Sequence, residues 1–195
     1  MAFLSKYCDD DRVITHKIPI STEALNKVKM NTATNKTVYI AQAALIAALY
    51  IVLTMIAAGF DLASGAIQVR FSEALTVLPY FTSAAVPGLT IGCLLANILT
   101  GCALPDIIFG TLATLLGAVG SYHFRKNRLL VSLMPILSNM LIIPFVLSYA
   151  YHIPGGIPFF MATVGAGELI SCGIFGQILI SVLQPIRARI FDIDS

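Results

Sequence analysis

The sequence predicts an all-α membrane protein of six transmembrane helices, with both termini cytoplasmic and short second and third spans. Three observations carry this expectation. The chain of 195 residues is 57% hydrophobic, with a mean hydropathy of +0.87. It holds only 12 basic and 10 acidic residues, whereas a soluble domain is about a quarter charged. Those charges are also segregated: residues 1–36 hold 10 of them, 187–194 hold 4, and only 8 are spread over residues 37–186.

Residues 1–36 are polar and lack the apolar core of a signal peptide, and Asp9, Asp10 and Asp11 argue against a transit peptide. They read as a cytoplasmic N-terminal arm with a short helix around residues 21–30, ahead of a transmembrane domain over 37–186 and a cytoplasmic tail over 187–195. A membrane-crossing helix needs about 20 apolar residues. Residues 38–58 meet this requirement, and so do 106–124, 129–151 and 157–183. Pro105 suits the first turn of the second of these.

Residues 73–101 fit either one long helix or two short ones broken near Pro87 and Gly88. Basic loops stay on the cytoplasmic side, which decides between the two. With two spans here, or a re-entrant hairpin, the arm (Lys27, Lys29, Lys36), the loop Arg125, Lys126 and Arg128, and the tail (Arg187, Arg189) all fall inside.

Outside that basic loop, five charges remain in the membrane domain: Asp61, Arg70, Glu73, Asp106 and Glu168. The six-span topology puts all five toward the outer side, where Asn97, Asn139, Tyr149 and His152 join them. An ionisable residue inside a span is costly and points to function, and Glu168 has no cation in its own helix. Several of these residues have plainer readings. Glu73 and Asp106 each suit a helix dipole at a first turn. Arg70 can pair with Glu73 or reach the interface, Asp61 suits a solvated turn, and the asparagines can bond neighbouring helices. Taken together the residues describe an external pocket rich in acceptors, suited to a ligand with many hydrogen-bond donors.

In the first span Ala43 and Ala47, and Ala44 and Ala48, are small residues four apart. Such pairs let helices approach closely, either within the chain or against a partner. The four cysteines are scattered without metal-ligand spacing and read as small core residues. The chain has no Gly-Lys dipeptide, HExxH or GxSxG, so it shows no Walker loop, zinc-protease motif or common serine-nucleophile motif. It also has no basic stripe with interleaved aromatics for nucleic acid. The expectation is a non-enzyme without cofactor or metal.

Three segments narrow the class. Residues 67–103 (IQVRFSEALTVLPYFTSAAVPGLTIGCLLANILTGCA), 104–117 (LPDIIFGTLATLLG) and 164–172 (VGAGELISC) resemble the signature regions of the QueT family. That resemblance implies a substrate-binding S component of an energy-coupling-factor importer in the bacterial cytoplasmic membrane. It implies a transmembrane coupling subunit and two cytosolic ATPase subunits as partners. The family's AxxxA docking motif would fall on Ala43–Ala47 or Ala44–Ala48. The implied ligand is a queuosine precursor: a 7-deazaguanine with a nitrile or aminomethyl arm, queuine, or the nucleoside. On this reading Glu168 takes the guanidine-like edge, and Asn139 and Asn97 meet the carbonyl and ring nitrogens. Glu73 and Arg70 close the loop side, with Asp106 nearby, and Tyr80, Phe81 or Tyr149 stacks on the ring. The alternatives are an S component for riboflavin or thiamin, a solitary carrier, or a membrane-embedded enzyme.

Overall fold

A computed structural model describes residues 22–60, 70–152 and 154–191, with side chains described for these except 22–34, 188 and 189. The chain divides into two compact units, residues 1–34 and 35–195. In the first, residues 22–34 are helical. All regular structure among the described residues is helical.

The first helix, α1 (Thr22–Gly59), is longer than the span expected at 38–58; its apolar part is Asn35–Gly59. Alanine, the strongest helix former, recurs through this stretch. A 3-10 helix, Phe71–Tyr80, and α2, Ala85–Leu99, follow. Next come α3 (Leu104–His123), α4 (Arg128–Tyr149) and α5 (Ile157–Glu168). The chain then passes through a π-helical segment, Leu169–Phe175, into α6 (Gly176–Leu183) and a short terminal α7 (Arg187–Ile190). Four stretches are long and apolar enough to cross a membrane: Asn35–Gly59, Leu104–His123, Arg128–Tyr149 and Ile157–Ile186.

The ambiguous region is two short helices rather than one long one, and the break does not fall at Pro87 and Gly88. The chain turns at residues 81–84, and Pro87 lies inside the first turn of α2. Proline costs nothing there, because a first-turn N–H has no helical partner to lose. At about 2.0 Å per residue the ten residues of the 3-10 helix reach about 20 Å. That is short of the roughly 30 Å hydrocarbon core.

The 3-10 helix is the hub of the fold. It touches α2, α3, α4, the π segment and α6, and Ser72, Glu73, Leu75, Thr76, Val77, Leu78 and Pro79 are buried. Around it the burial pattern suits lipid. The buried face of α3 is Asp106, Gly110, Ala113, Thr114, Gly117, Ala118 and Ser121, while Ile108, Phe109, Leu112, Leu116 and Val119 point outward. Hydrocarbon gives large side chains no reason to turn inward, so small and polar residues take the helix contacts.

Glycine sets the α1–α2 contact. A Cβ at Gly88 would stand 2.7 Å from the Ala43 carbonyl oxygen, and one at Gly92 would stand 3.0 Å from the Ala47 Cα and 2.9 Å from the Tyr50 Cβ. Ala43 and Ala47 are therefore used within the chain. Ala44 and Ala48 are exposed on α1 beside Leu45 and Leu49.

Farther along, the Arg128 guanidinium donates to the Ser181 hydroxyl at 2.6 Å, and the Gln177 amide donates to the Ser132 hydroxyl at 2.7 Å, tying α4 to α6. We expect Gly92→Leu to destabilise the fold by about 1–3 kcal/mol through overpacking. Thermal unfolding in detergent checks this, with Gly59→Leu, where nothing lies near the added carbon, as the unaffected control.

Candidate functional site

Glu73 lies in the first turn of the 3-10 helix, and its backbone N–H bonds to the Arg70 carbonyl at 3.0 Å. Its side chain is 2% exposed. The Tyr50 hydroxyl, from α1, donates to Glu73 Oε1 at 2.5 Å. Oε2 is buried with no hydrogen-bond partner. The Glu73 carbonyl accepts from the Thr76 hydroxyl at 2.6 Å and from the Cys172 thiol at 3.2 Å.

Glu168 closes α5 and is also buried. The Asn139 amide, from α4, donates to its Oε1 at 2.7 Å, and the Cys172 thiol donates to its Oε2 at 3.1 Å. Cys172 stands four residues on in the π segment, and its single S–H is shared between Glu168 Oε2 and the Glu73 carbonyl. The ligand atoms of Glu73, Glu168 and Cys172 all lie within 4.8 Å of one another. Two carboxylates that close repel unless a positive charge stands nearby.

A second acidic corner lies on α3. Asp106, in its first turn, is 4% exposed. Its Oδ2 accepts from the Tyr151 hydroxyl at 2.9 Å, and its Oδ1 is buried without a partner. The Tyr151 hydroxyl also accepts from the Ala103 N–H at 3.1 Å, at the N-cap of α3. His152, with φ 51°, turns the chain just after Tyr151. Burial and the Asp106 carboxylate push the Tyr151 phenol up to about 12, so at neutral pH it keeps the proton it donates. A Cβ placed on Gly110 would meet Asp106 Oδ1 and Asn97 Nδ2, each at 3.2 Å, and the end of Ile143 at 4.0 Å. Asp106 and Asn97 thus converge on one place.

Arg70, Asn139, Ile143, Val164 and Glu168 line a polar cavity of about 20 Å³. This is room for a water molecule and little more. A larger groove of about 530 Å³ runs past Pro105, Phe109, Leu141, Phe145 and Tyr149. That groove is almost wholly apolar and offers nothing to orient a polar ligand, so the candidate site is the smaller cavity and the acids around it.

The structure brings together Arg70, Glu73, Asn97, Asp106, Asn139 and Glu168. It does not bring the expected stacking residues to them. Phe81 stacks on Phe191 at 5.1 Å between ring centres, and Tyr80 meets Phe81 edge-on. Both sit at the far end of the 3-10 helix from Glu73. Tyr149 is 70% exposed and faces the apolar groove, four residues from Phe145 on the outward side of α4. Asp61 lies outside the described residues.

Sequence reasoning missed Tyr50, Cys172 and Tyr151. Two signals were present: Tyr50 places a hydroxyl deep in an alanine-, leucine- and isoleucine-rich span, and Cys172 follows Glu168 by one helical turn.

The family described as "QueT transporter" matches residues 40–185. The chain is 38% identical over 81 residues to the queuosine precursor transporter QueT of Lactococcus lactis subsp. cremoris, and this covers 42% of this chain. The aligned stretch spans 47% of that relative, about half its length. No solved structure matches.

Tyr50→Phe leaves the buried Glu73 carboxylate without its donor. We expect a loss of about 1–3 kcal/mol, seen as a lower melting temperature in detergent; an unchanged melting temperature would show that the contact contributes nothing.

Proposed function

This chain belongs to the QueT transporter family, and we propose that it is the substrate-binding S component of an energy-coupling-factor importer for a queuosine precursor. Four span-length apolar helices and the family make it a multi-pass membrane protein. The finer topology we propose has six spans. The 3-10 helix and α2 are the short second and third, and both termini lie in the bacterial cytoplasm. Basic loops support this orientation, because it keeps all three basic segments inside.

The observation that carries the ligand assignment is the cluster of buried acceptors. Glu73, Asp106 and Glu168 are buried, with Asn97 and Asn139 beside them. The guanidine-like edge of a 7-deazaguanine presents adjacent N–H donors that one carboxylate accepts in bidentate fashion. Glu168 takes that edge, and Asn139 turns its amide from Glu168 to the ring carbonyl. The ring lies between Ile143 and Val164, the apolar walls of the cavity, in place of the aromatic stack the sequence suggested. A bicyclic ring is far larger than about 20 Å³, so binding parts α4 from α5, starting with the Asn139–Glu168 bond.

Uptake draws its energy from ATPases on separate subunits, reached through a coupling subunit. Ala43 and Ala47 pack against α2, so the docking face is the exposed Ala44 and Ala48 side of α1, next to Leu45 and Leu49.

Two experiments test this. Glu168→Gln replaces an acceptor with a donor at the ring edge. A lost hydrogen bond to a charged group is worth about 1.5–3 kcal/mol, so Kd for a 7-deazaguanine ligand should rise ten-fold or more by titration in detergent. Unchanged affinity removes Glu168 from the site, and tight binding of riboflavin or thiamin instead overturns the ligand class. Ala48→Phe should abolish ATP-driven uptake in liposomes holding the whole complex while leaving Kd unchanged; uptake at the normal rate moves the docking face elsewhere.

A further inference from the structure

The buried charges do not balance, and the imbalance lies in two places. Near the cavity the described residues set one guanidinium, Arg70, against three buried carboxylates, and Arg70 feels Asp106 and Glu73 as its charged neighbours. Each of two carboxylates leaves an oxygen without a donor: Glu73 Oε2 and Asp106 Oδ1. The first belongs to the compact group with Glu168 and Cys172, and the second does not. Burying an acceptor without a donor is costly, and doing so in two separate corners asks for a ligand with a donor at each end.

The two corners also differ in kind. Glu168 has both oxygens satisfied within the protein, by Asn139 and Cys172. At Asp106 only Oδ2 is used. Tyr151 holds it and so orients the carboxylate while Oδ1 stays open. Oδ1 and Asn97 Nδ2 both lie 3.2 Å from where a Cβ on Gly110 would stand, with the end of Ile143 at 4.0 Å, and Ile143 is a wall of the polar cavity. The Tyr151 bond already gives Asp106 a structural role through Oδ2, and such a role does not account for Oδ1.

We propose that Asp106, oriented by Tyr151 and flanked by Asn97, is a second subsite that takes a positive charge carried on the substituent of the ligand ring. It is separate from the carboxylate that takes the ring edge. This deepens the ligand assignment above and rests on it. The ligand the site selects is then a 7-deazaguanine whose arm ends in a protonated amine, in preference to one of the same ring with a neutral arm. Asp106 supplies the charge for that ammonium.

The test uses two probes, 7-aminomethyl-7-deazaguanine and 7-cyano-7-deazaguanine, titrated into the purified full chain in detergent. The wild type should bind the amine at least ten-fold more tightly than the nitrile. Asp106→Asn should weaken the amine at least ten-fold, move the nitrile little and so collapse the preference. Tyr151→Phe keeps the carboxylate but removes the bond that orients it, and should reduce the preference without abolishing it, which keeps the subsite testable if Asp106→Asn does not fold. Equal wild-type affinity for the two probes overturns the subsite and leaves the ring assignment standing. A preference that survives Asp106→Asn overturns the role of Asp106. Binding of neither probe overturns the ring assignment and the subsite together.

Discussion

A carboxylate enclosed by helices in a bilayer costs several kcal/mol unless donors replace the water it has lost. Among the described residues three are enclosed around one short helix, and much of the fold serves to supply their donors. Tyr50 comes from α1, Asn139 from α4, Cys172 from the π segment and Tyr151 from the turn after α4. The Tyr50 and Tyr151 bonds tie α1 and the turn after α4 to the 3-10 helix and the start of α3, and the Asn139 bond ties α4 to α5. The supply still falls short by two oxygens. A protein selected for stability alone has no use for that shortfall, whereas a binding site does, because the missing donors arrive with the ligand.

The close packing of the helices makes this arrangement possible. Gly88 and Gly92 let α1 approach α2 until Tyr50 reaches Glu73. Gly176 brings α6 so near the 3-10 helix that a Cβ there would stand 2.6 Å from Val77. The π segment begins at the residue after Glu168, and π turns are commonly found at functional sites. Here the turn carries Cys172, whose thiol bridges Glu168 and the Glu73 carbonyl. The cavity is closed to about 20 Å³, and the bond holding α4 to α5 across it, Asn139 to Glu168, is one the ligand can replace.

Much of this was legible from residues 37–186 because a membrane filters composition severely. The four long spans showed as uninterrupted apolar runs, and each charge left among them stood out. Glu73, Asp106 and Glu168 were visible for that reason, though they are far apart in sequence. The break before α2 was not legible, because Pro87 fits a first helical turn as well as a helix end. The donors were hidden for a related reason. A transmembrane helix is apolar on every side, so the sequence around Tyr50 carries no polar stripe to say which way its hydroxyl turns. Tyr80 and Phe81 misled because proximity to Glu73 in sequence suggested proximity in space. A 3-10 helix of ten residues carries its two ends about 20 Å apart, and Phe81 ends against Phe191.

The central claim is that these buried acceptors hold a ligand with a guanidine-like edge. The most direct measurement is the mass of the small molecule released when the protein, purified from cells in detergent, is denatured. The account predicts a 7-deazaguanine compound in near-stoichiometric amount. A flavin or a thiamin compound in that amount would contradict it.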